Sequence, residues 1–402
     1  RDEDKEKRRS KIYERRYLGS KGIGRLAAMA LGRHLTVITK QKSDAKYNWL
    51  KIDREVFKTD ISLDKVSFPG GQIKSFQDLF KDEDLLKSLK MKANGNLVNL
   101  ISSDPFNGFD EGTMVILEDL DDSVRGIIED EFEYKDLEAT SIFKSLTDLI
   151  TPLKLANDIQ DELVKESILS KSLKIDNGSG VFELFYGINF IKDRVQNIID
   201  FTPIEPAEII KHYHYRIFGK VTSDFDVVGR YICKRLDSDP RNEKFDFKSN
   251  EIMSESEIKI RNIQELENTE ELKSNAGEFY FDIRVYDLDS DAKDQIAGHM
   301  KVSGKREATD ILKKYLGLKI SKNGFSVKPY GDEEQDWLGL GAKRVQKHQV
   351  SIGPNQILGY AFLYSPANDD LSEKTNREGF FENKAFILFK KSITGILEQA
   401  GR

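Results

Sequence analysis

Four stretches in the second half of the chain are dense in β-branched and aromatic residues: SGVFELFYGINFI, HYRIFGKVT, DVVGRYICKRL and GEFYFDIRVYDL. Segments of this kind favour a pleated, half-buried surface, and several are separated by turn formers. Strands in water satisfy their backbones by pairing, so this half must build a sheet. Helical patterns at DQIAGHMKVS, REATDILKKYLG and NKAFILFKKSITGILEQAG supply helices to back it.

The first half reads differently. Gly19, Gly22 and Gly24 precede a run of good helix formers, Leu26 to Leu31. Gly32 follows where a helix end favours a left-handed residue, and Leu35 to Thr39 then reads as a strand. YNWLKID alternates like a strand, and Pro69-Gly70-Gly71 forms a turn. Gly112-Thr113 opens MVILEDL, an apolar run suited to a buried strand. From Ile127 to Ile150 the pattern is helical, with Pro152 as its stop. The expected architecture is α/β and α+β in two domains, residues 1–200 and 201–402, divided near FTPIEPAE.

Composition narrows the class. A chain of 402 residues suits two or three domains of roughly 150 residues each. With 24 Phe and 14 Tyr it is too aromatic for disorder, despite 33% charged residues. No window approaches ~18 consecutive apolar residues, which argues against a membrane-spanning helix. Cys233 stands alone, so a disulfide framework and a cysteine zinc site are excluded, and a reducing, cytoplasmic home is expected. The balance of 63 basic against 69 acidic residues makes no global case for nucleic acid. Residues 1–16 carry eight basic and five acidic residues without an apolar period, as a solvated segment does.

The chemistry concentrates at Gly19-Ser20-Lys21-Gly22-Ile23-Gly24-Arg25. Three glycines in six residues let a backbone approach an anion and aim successive N–H groups at it, and the following helix adds its positive end. Lys21 and Arg25 supply formal charge. The spacing is neither that of a P-loop nor that of a dinucleotide fingerprint, since no strand precedes it. On glycine spacing alone, phosphate binding and a structural turn stay equally open.

GSKGIGRLAAMALG resembles the lid motif of the GHKL ATPases, the group of gyrase B-type subunits, heat-shock-90 chaperones, histidine kinases, MutL and MORC proteins. EGTMVILEDL resembles that family's last nucleotide-site motif, a Gly-Thr pair entering a central strand. The segments NGFSVKPYG, DWLGLGAKRVQ and NQILGYAFLYSPANDDLSEKTNREGFFENKAF look like the transducer domain of bacterial GHKL proteins of MORC-like or uncharacterised, heat-shock-90-like architecture. The resemblance implies the lid and C-terminal part of a GHKL α/β sandwich in residues 1–200, then a transducer-like α+β domain in 201–402. It implies ATP and Mg²⁺ as cofactors, with Gly19 to Arg25 over the triphosphate and Thr113 near the adenine. In gyrase-type relatives a Gln-Thr-Lys loop reaches the γ-phosphate. Here the matching loop carries Lys374-Thr375-Asn376-Arg377, with Arg377 at the lysine position and Lys374 in reserve. Arg keeps the charge but changes its shape.

The family's acidic general base, its Mg²⁺-binding Asn and its Asp-x-Gly-x-Gly all precede the lid, so they are expected upstream of Arg1. Asp176-Asn177-Gly178-Ser179-Gly180 spells the last pattern in the wrong order, and its Asn-Gly reads as a hairpin turn. The implied activity is ATP-driven domain closure, in relatives commonly coupled to homodimerisation, with hydrolysis of ATP where the general base is present. The alternative is a non-catalytic scaffold module in a larger assembly, on nucleic acid, with a partner protein or in bacterial defence; no membrane partner is expected. Lesser candidates read as structural. His212 and His214 are strand histidines without a third metal ligand, and Trp337 and Tyr330 are core aromatics. His34 is a helix-end dipole partner, and Cys233 a small buried hydrophobe.

Overall fold

The computed structural model describes residues 28–58, 62, 65–74, 111–131, 140–168, 183–192, 195–235, 241–252, 276–332, 335–346, 352–364, 367–374 and 378–400. They form a mixed α/β protein with several sheets. Two compact units arise, interleaved along the chain: Tyr17–Phe143 with Phe185–Pro203, and Lys144–Leu184 with Ile204–Arg402 and Arg1–Arg16. The single cut near residue 200 thus gives way to several crossings, because the segment from residue 144 packs with the second sheet.

In the first unit, β1 (Gly32–Lys40) lies between β2 (Tyr47–Asp53) and β4 (Gly112–Leu120), and β3 (Gly70–Ile73) extends the sheet beyond β2. All pairings are antiparallel. Leu35, Ile38, Tyr47 and Ile73 are buried. Helix α1 (Asp122–Glu131) follows β4. Two expectations are corrected here. Gly32 already belongs to β1; the carbonyls that end the helical residues 28–31 are met instead by Arg54, at 3.3 Å from Met29 and 3.4 Å from Ala30, and by the Asp121 N–H on Leu31. His34 is no helix-end partner: it is buried in β1 between Asp119 (2.9 Å) and Asp53 (3.4 Å).

The second unit begins with α2 (Ser141–Lys165), whose first residues belong to the other unit. Pro152 lies inside this helix, where the sequence pattern had it as the terminator. A proline leaves the carbonyl four residues earlier without its helical donor. That carbonyl, of Asp148, accepts the Ser326 hydroxyl at 3.3 Å. The hairpin β5 (Phe185–Lys192) and β6 (Val195–Pro203) is a separate two-stranded sheet in the first unit.

The second unit's sheet is built from β7 (Tyr215–Val221), β8 (Val227–Cys233), β9 (Arg241–Phe247), β10 (Phe279–Val285), β11 (Gly317–Lys322), β12 (Phe325–Val327) and β13 (Ile357–Leu363). The order is β12-β11-β13-β10-β7-β8-β9, antiparallel except for β11 beside β13. The intervening helices are α3 (Ser249–Ile252), α4 (Ser290–Met300), α5 (Lys305–Tyr315) and α6 (Leu340–Gln346), and α7 (Lys384–Ala400) closes the chain. β10 shows how alternation feeds both faces. Phe279, Phe281, Ile283 and Val285 pack with Phe386, Phe389, Ile393 and Ile396 of α7. Tyr280 and, just beyond the strand, Tyr286 join Leu155, Ile159 and Leu163 of α2, Ile296 of α4 and Leu312 of α5.

Candidate functional site

Among the described residues, two places hold the side chains singled out by sequence. The first is the start of β4. Gly112 has φ 140°, a conformation glycine adopts readily and other residues do not, and this sets the following Thr113 into the ladder opposite Thr39. The two hydroxyls meet at 3.0 Å, and Thr39 also donates to the carbonyl of Gly112 at 3.2 Å. Thr113 is exposed. Among the described residues β4 is an edge strand with Val115 52% exposed, which corrects the buried strand expected there.

The second place is the connection from β13 to α7, and here strand, loop and helix follow in the expected order. Asn383 starts the helix, its side-chain oxygen accepting the Phe386 N–H at 2.9 Å. Its amide gives a hydrogen to the Asp370 carbonyl at 2.7 Å, tying the loop to the helix start. Within the loop Glu373 bridges Phe380 in antiparallel fashion, the Lys374 N–H donates to Gly379 at 2.9 Å, and the Phe381 N–H donates to Ser372 at 3.0 Å. These bonds make a small hairpin that carries the exposed Lys374. Its returning arm rests on Tyr330, whose phenol oxygen accepts the Phe380 N–H at 2.9 Å. Burial pushes the Tyr330 phenol up, so it stays a neutral hydroxyl at physiological pH.

Thr113 belongs to one compact unit and Lys374 to the other. Gly19, Ser20, Lys21, Gly22, Ile23, Gly24, Arg25, Arg377 and the decoy Asp176 to Gly180 lie outside the described residues. The lesser candidates resolve into structure. His212 and His214 precede β7 and are not strand residues. His214 is buried and accepts the Asp287 N–H at Nδ1 (2.9 Å), and burial draws its pKa below the ordinary value. His212 stacks on His299 at 5.6 Å and meets Glu208 at 3.3 Å, with burial again lowering its pKa against the pull of that carboxylate. Trp337 donates its indole N–H to Leu318 at 2.8 Å and, like Tyr330, packs against the core. Cys233 is a free, half-buried thiol ending β8.

No group of three or more His, Cys, Asp or Glu side chains could hold a metal ion among the described residues, and no helix there is long and apolar enough to cross a membrane. Two features outside the sequence reading emerge as well. Asn368 is fully buried under the loop, and Lys322 lies beneath its hairpin. The only local hint of either was a polar residue beside an apolar strand. A scan of the chain against protein-family models gives no match, and a search of curated protein sequences gives none.

Proposed function

We propose that the chain is the nucleotide-responding part of an ATP-dependent conformational machine of the GHKL type. In this reading Gly19 to Arg25 hold the triphosphate through backbone amides, the hydroxyl pair of Thr113 and Thr39 faces the base, and Arg377 or Lys374 answers to the γ-phosphate. The observation that carries it is the β13–loop–α7 connection, a strand, a braced hairpin with an exposed lysine, and a helix. The hydroxyl pair fits a base: the Thr39 proton is held by the Gly112 carbonyl, both oxygens can accept, and Thr113 has a proton to donate. For Mg²⁺ the described residues offer no ligand cluster. A cation at the γ-phosphate separates ATP from ADP by one charge-assisted contact of about 1.5–3 kcal/mol, enough to bias an open–closed equilibrium. Closure and dimerisation would follow from that bias.

Calorimetric titration with a non-hydrolysable ATP analogue and with ADP tests the reading. Wild type should bind both. Gly22→Val should abolish binding by blocking the backbone's approach without unfolding the protein. Arg377→Ala or Lys374→Ala should spare ADP and weaken the analogue. Absence of affinity for either nucleotide in the wild-type chain would sink the proposal and leave the non-catalytic module.

A further inference from the structure

The hairpin that carries Lys374 is held from beneath at several points. Asn368 accepts the Tyr364 N–H at 2.6 Å and gives its amide hydrogens to the carbonyls of Ala276 (2.5 Å) and Glu278 (3.0 Å). Lys322, the last residue of β11, reaches up from the sheet and donates its ammonium to the Leu371 carbonyl at 2.7 Å. The same nitrogen lies 5.7 Å from the centre of the Phe380 ring. Leu371 leads into the hairpin and Phe380 leaves it, so one cation touches both arms. The neighbouring backbone is fixed too: Asn323 donates to Leu363 at 2.9 Å, where β13 ends and the loop begins.

This ammonium is half-buried, and burial draws its pKa below the ordinary lysine value although Glu373 and Asp369 pull the other way. A lysine at a strand end normally extends its head into water. Here it exchanges part of its hydration for a carbonyl and a ring face, the two groups that set the geometry of the loop. On the return arm, Gly379 has φ 91°, and a Cβ there would come within 3.0 Å of the Tyr330 hydroxyl. The hairpin therefore has little freedom to settle elsewhere while Lys322 and Tyr330 hold it.

We propose that Lys322 is a positioning residue for the phosphate-sensing loop: without touching ligand, it fixes the hairpin that presents Lys374, and discrimination of ATP from ADP depends on it. This rests on the nucleotide reading above. A residue that merely stabilised the unit would, when changed, weaken both nucleotides alike. A positioning residue changes their ratio.

The experiment compares wild type, Lys322→Met and Lys322→Arg by calorimetry with the ATP analogue and with ADP, and by hydrogen exchange at the amides of Lys374 and Phe381. Lys322→Met should weaken the analogue by about tenfold or more, the low end of one charge-assisted contact, with ADP affinity unchanged. Both amides should exchange faster. Lys322→Arg should recover much of the ratio, because it restores a cation to the Leu371 carbonyl. If Lys322→Met fails to fold, Lys322→Gln, which keeps a shorter donor, takes its place. Equal loss of both nucleotides in Lys322→Met, or a ratio unchanged from that of a wild type that binds ATP, overturns the positioning role while the nucleotide reading stands. If wild type binds neither nucleotide, that reading and the claim on discrimination fall together; unchanged amide protection in Lys322→Met would then also remove Lys322 from the support of the hairpin.

Discussion

Asp282 stands in the middle of β10 with no exposed surface, its carboxylate held by Arg216 at 2.9 and 3.0 Å and by Arg284 at 2.9 Å. Burial by itself pushes the Asp282 carboxyl up, but the two guanidinium charges outweigh it and hold the pKa below the ordinary value. Arg284 spends a further N–H on the Ile210 carbonyl, and Arg216 reaches Glu162 at 2.7 Å. Removing the central charge leaves the buried Arg284 without a carboxylate and Arg216 with only the part-exposed Glu162, so Asp282→Asn should cost about 3–5 kcal/mol of stability in urea melts. Glu162→Gln should cost under about 1 kcal/mol, since that carboxylate is 42% exposed. The direction with pH follows from the lowered pKa. The Asp282 contribution is complete above the unfolded carboxyl value near 3.8 and is lost as pH falls below it, through the folded value. FYFDIRV shows how far a sequence reaches at this scale. A charged residue amid strand aromatics announces a buried partner, but Arg216 lies 66 positions earlier and only the strand pairing brings it across. The Gly112-Thr113 entry into a strand was legible for the opposite reason, because the two residues are neighbours in the chain.

Helix α2 carries the same contrast at the scale of an element. Pro152 reads locally as a stop, and a proline in a helix interior costs about 3 kcal/mol or more. The helix runs on because Leu155, Ile159 and Leu163 beyond the proline are buried against the sheet, and because Ser326 takes over the orphaned Asp148 carbonyl. Lys319 holds the Asp148 side chain at 2.6 Å, pinning the same turn to β11. If Ser326 substitutes for the missing N–H, its worth should depend on the proline. Ser326→Ala should cost about 1 kcal/mol in the native background, the usual net value of a hydrogen bond, and much less after Pro152→Ala restores a backbone donor. A double-mutant cycle of urea midpoints checks this, and purely additive effects would show that the hydroxyl does no such service. Elements with strong period-2 alternation, such as β2, β7 and β10, were readable from sequence. β9 was not: RNEKFDF is polar and largely exposed at the sheet edge, and its sole strand signature is Phe245 stacked on Phe247 at 4.8 Å. Charged edge strands blunt unwanted pairing, and the same charges disguise them as loops.

At the scale of the whole molecule, the chain enters the second unit at Lys144, leaves it for the hairpin Phe185–Pro203, and returns at Ile204. A boundary in a sequence is sought where composition shifts, and FTPIEPAE is such a place. The physical boundary follows buried surface instead, and α2 gives its surface to the sheet that begins at β7. Leu155, Ile159 and Leu163 are each at most 6% exposed. At about 1.5–3 kcal/mol per fully buried side chain they contribute on the order of 5–9 kcal/mol. The polar contacts Lys319–Asp148 and Arg216–Glu162 would also be lost without the helix. A sum of that size rivals the whole stability of a typical domain, about 5–15 kcal/mol. A fragment of residues 201–402 should therefore lack a cooperative thermal transition and expose an apolar sheet face. A fragment of residues 141–402 should melt cooperatively, because it keeps the helix with its sheet. Circular dichroism melts of the two fragments decide the matter, and a cooperative transition in residues 201–402 alone would show that α2 is dispensable to this unit.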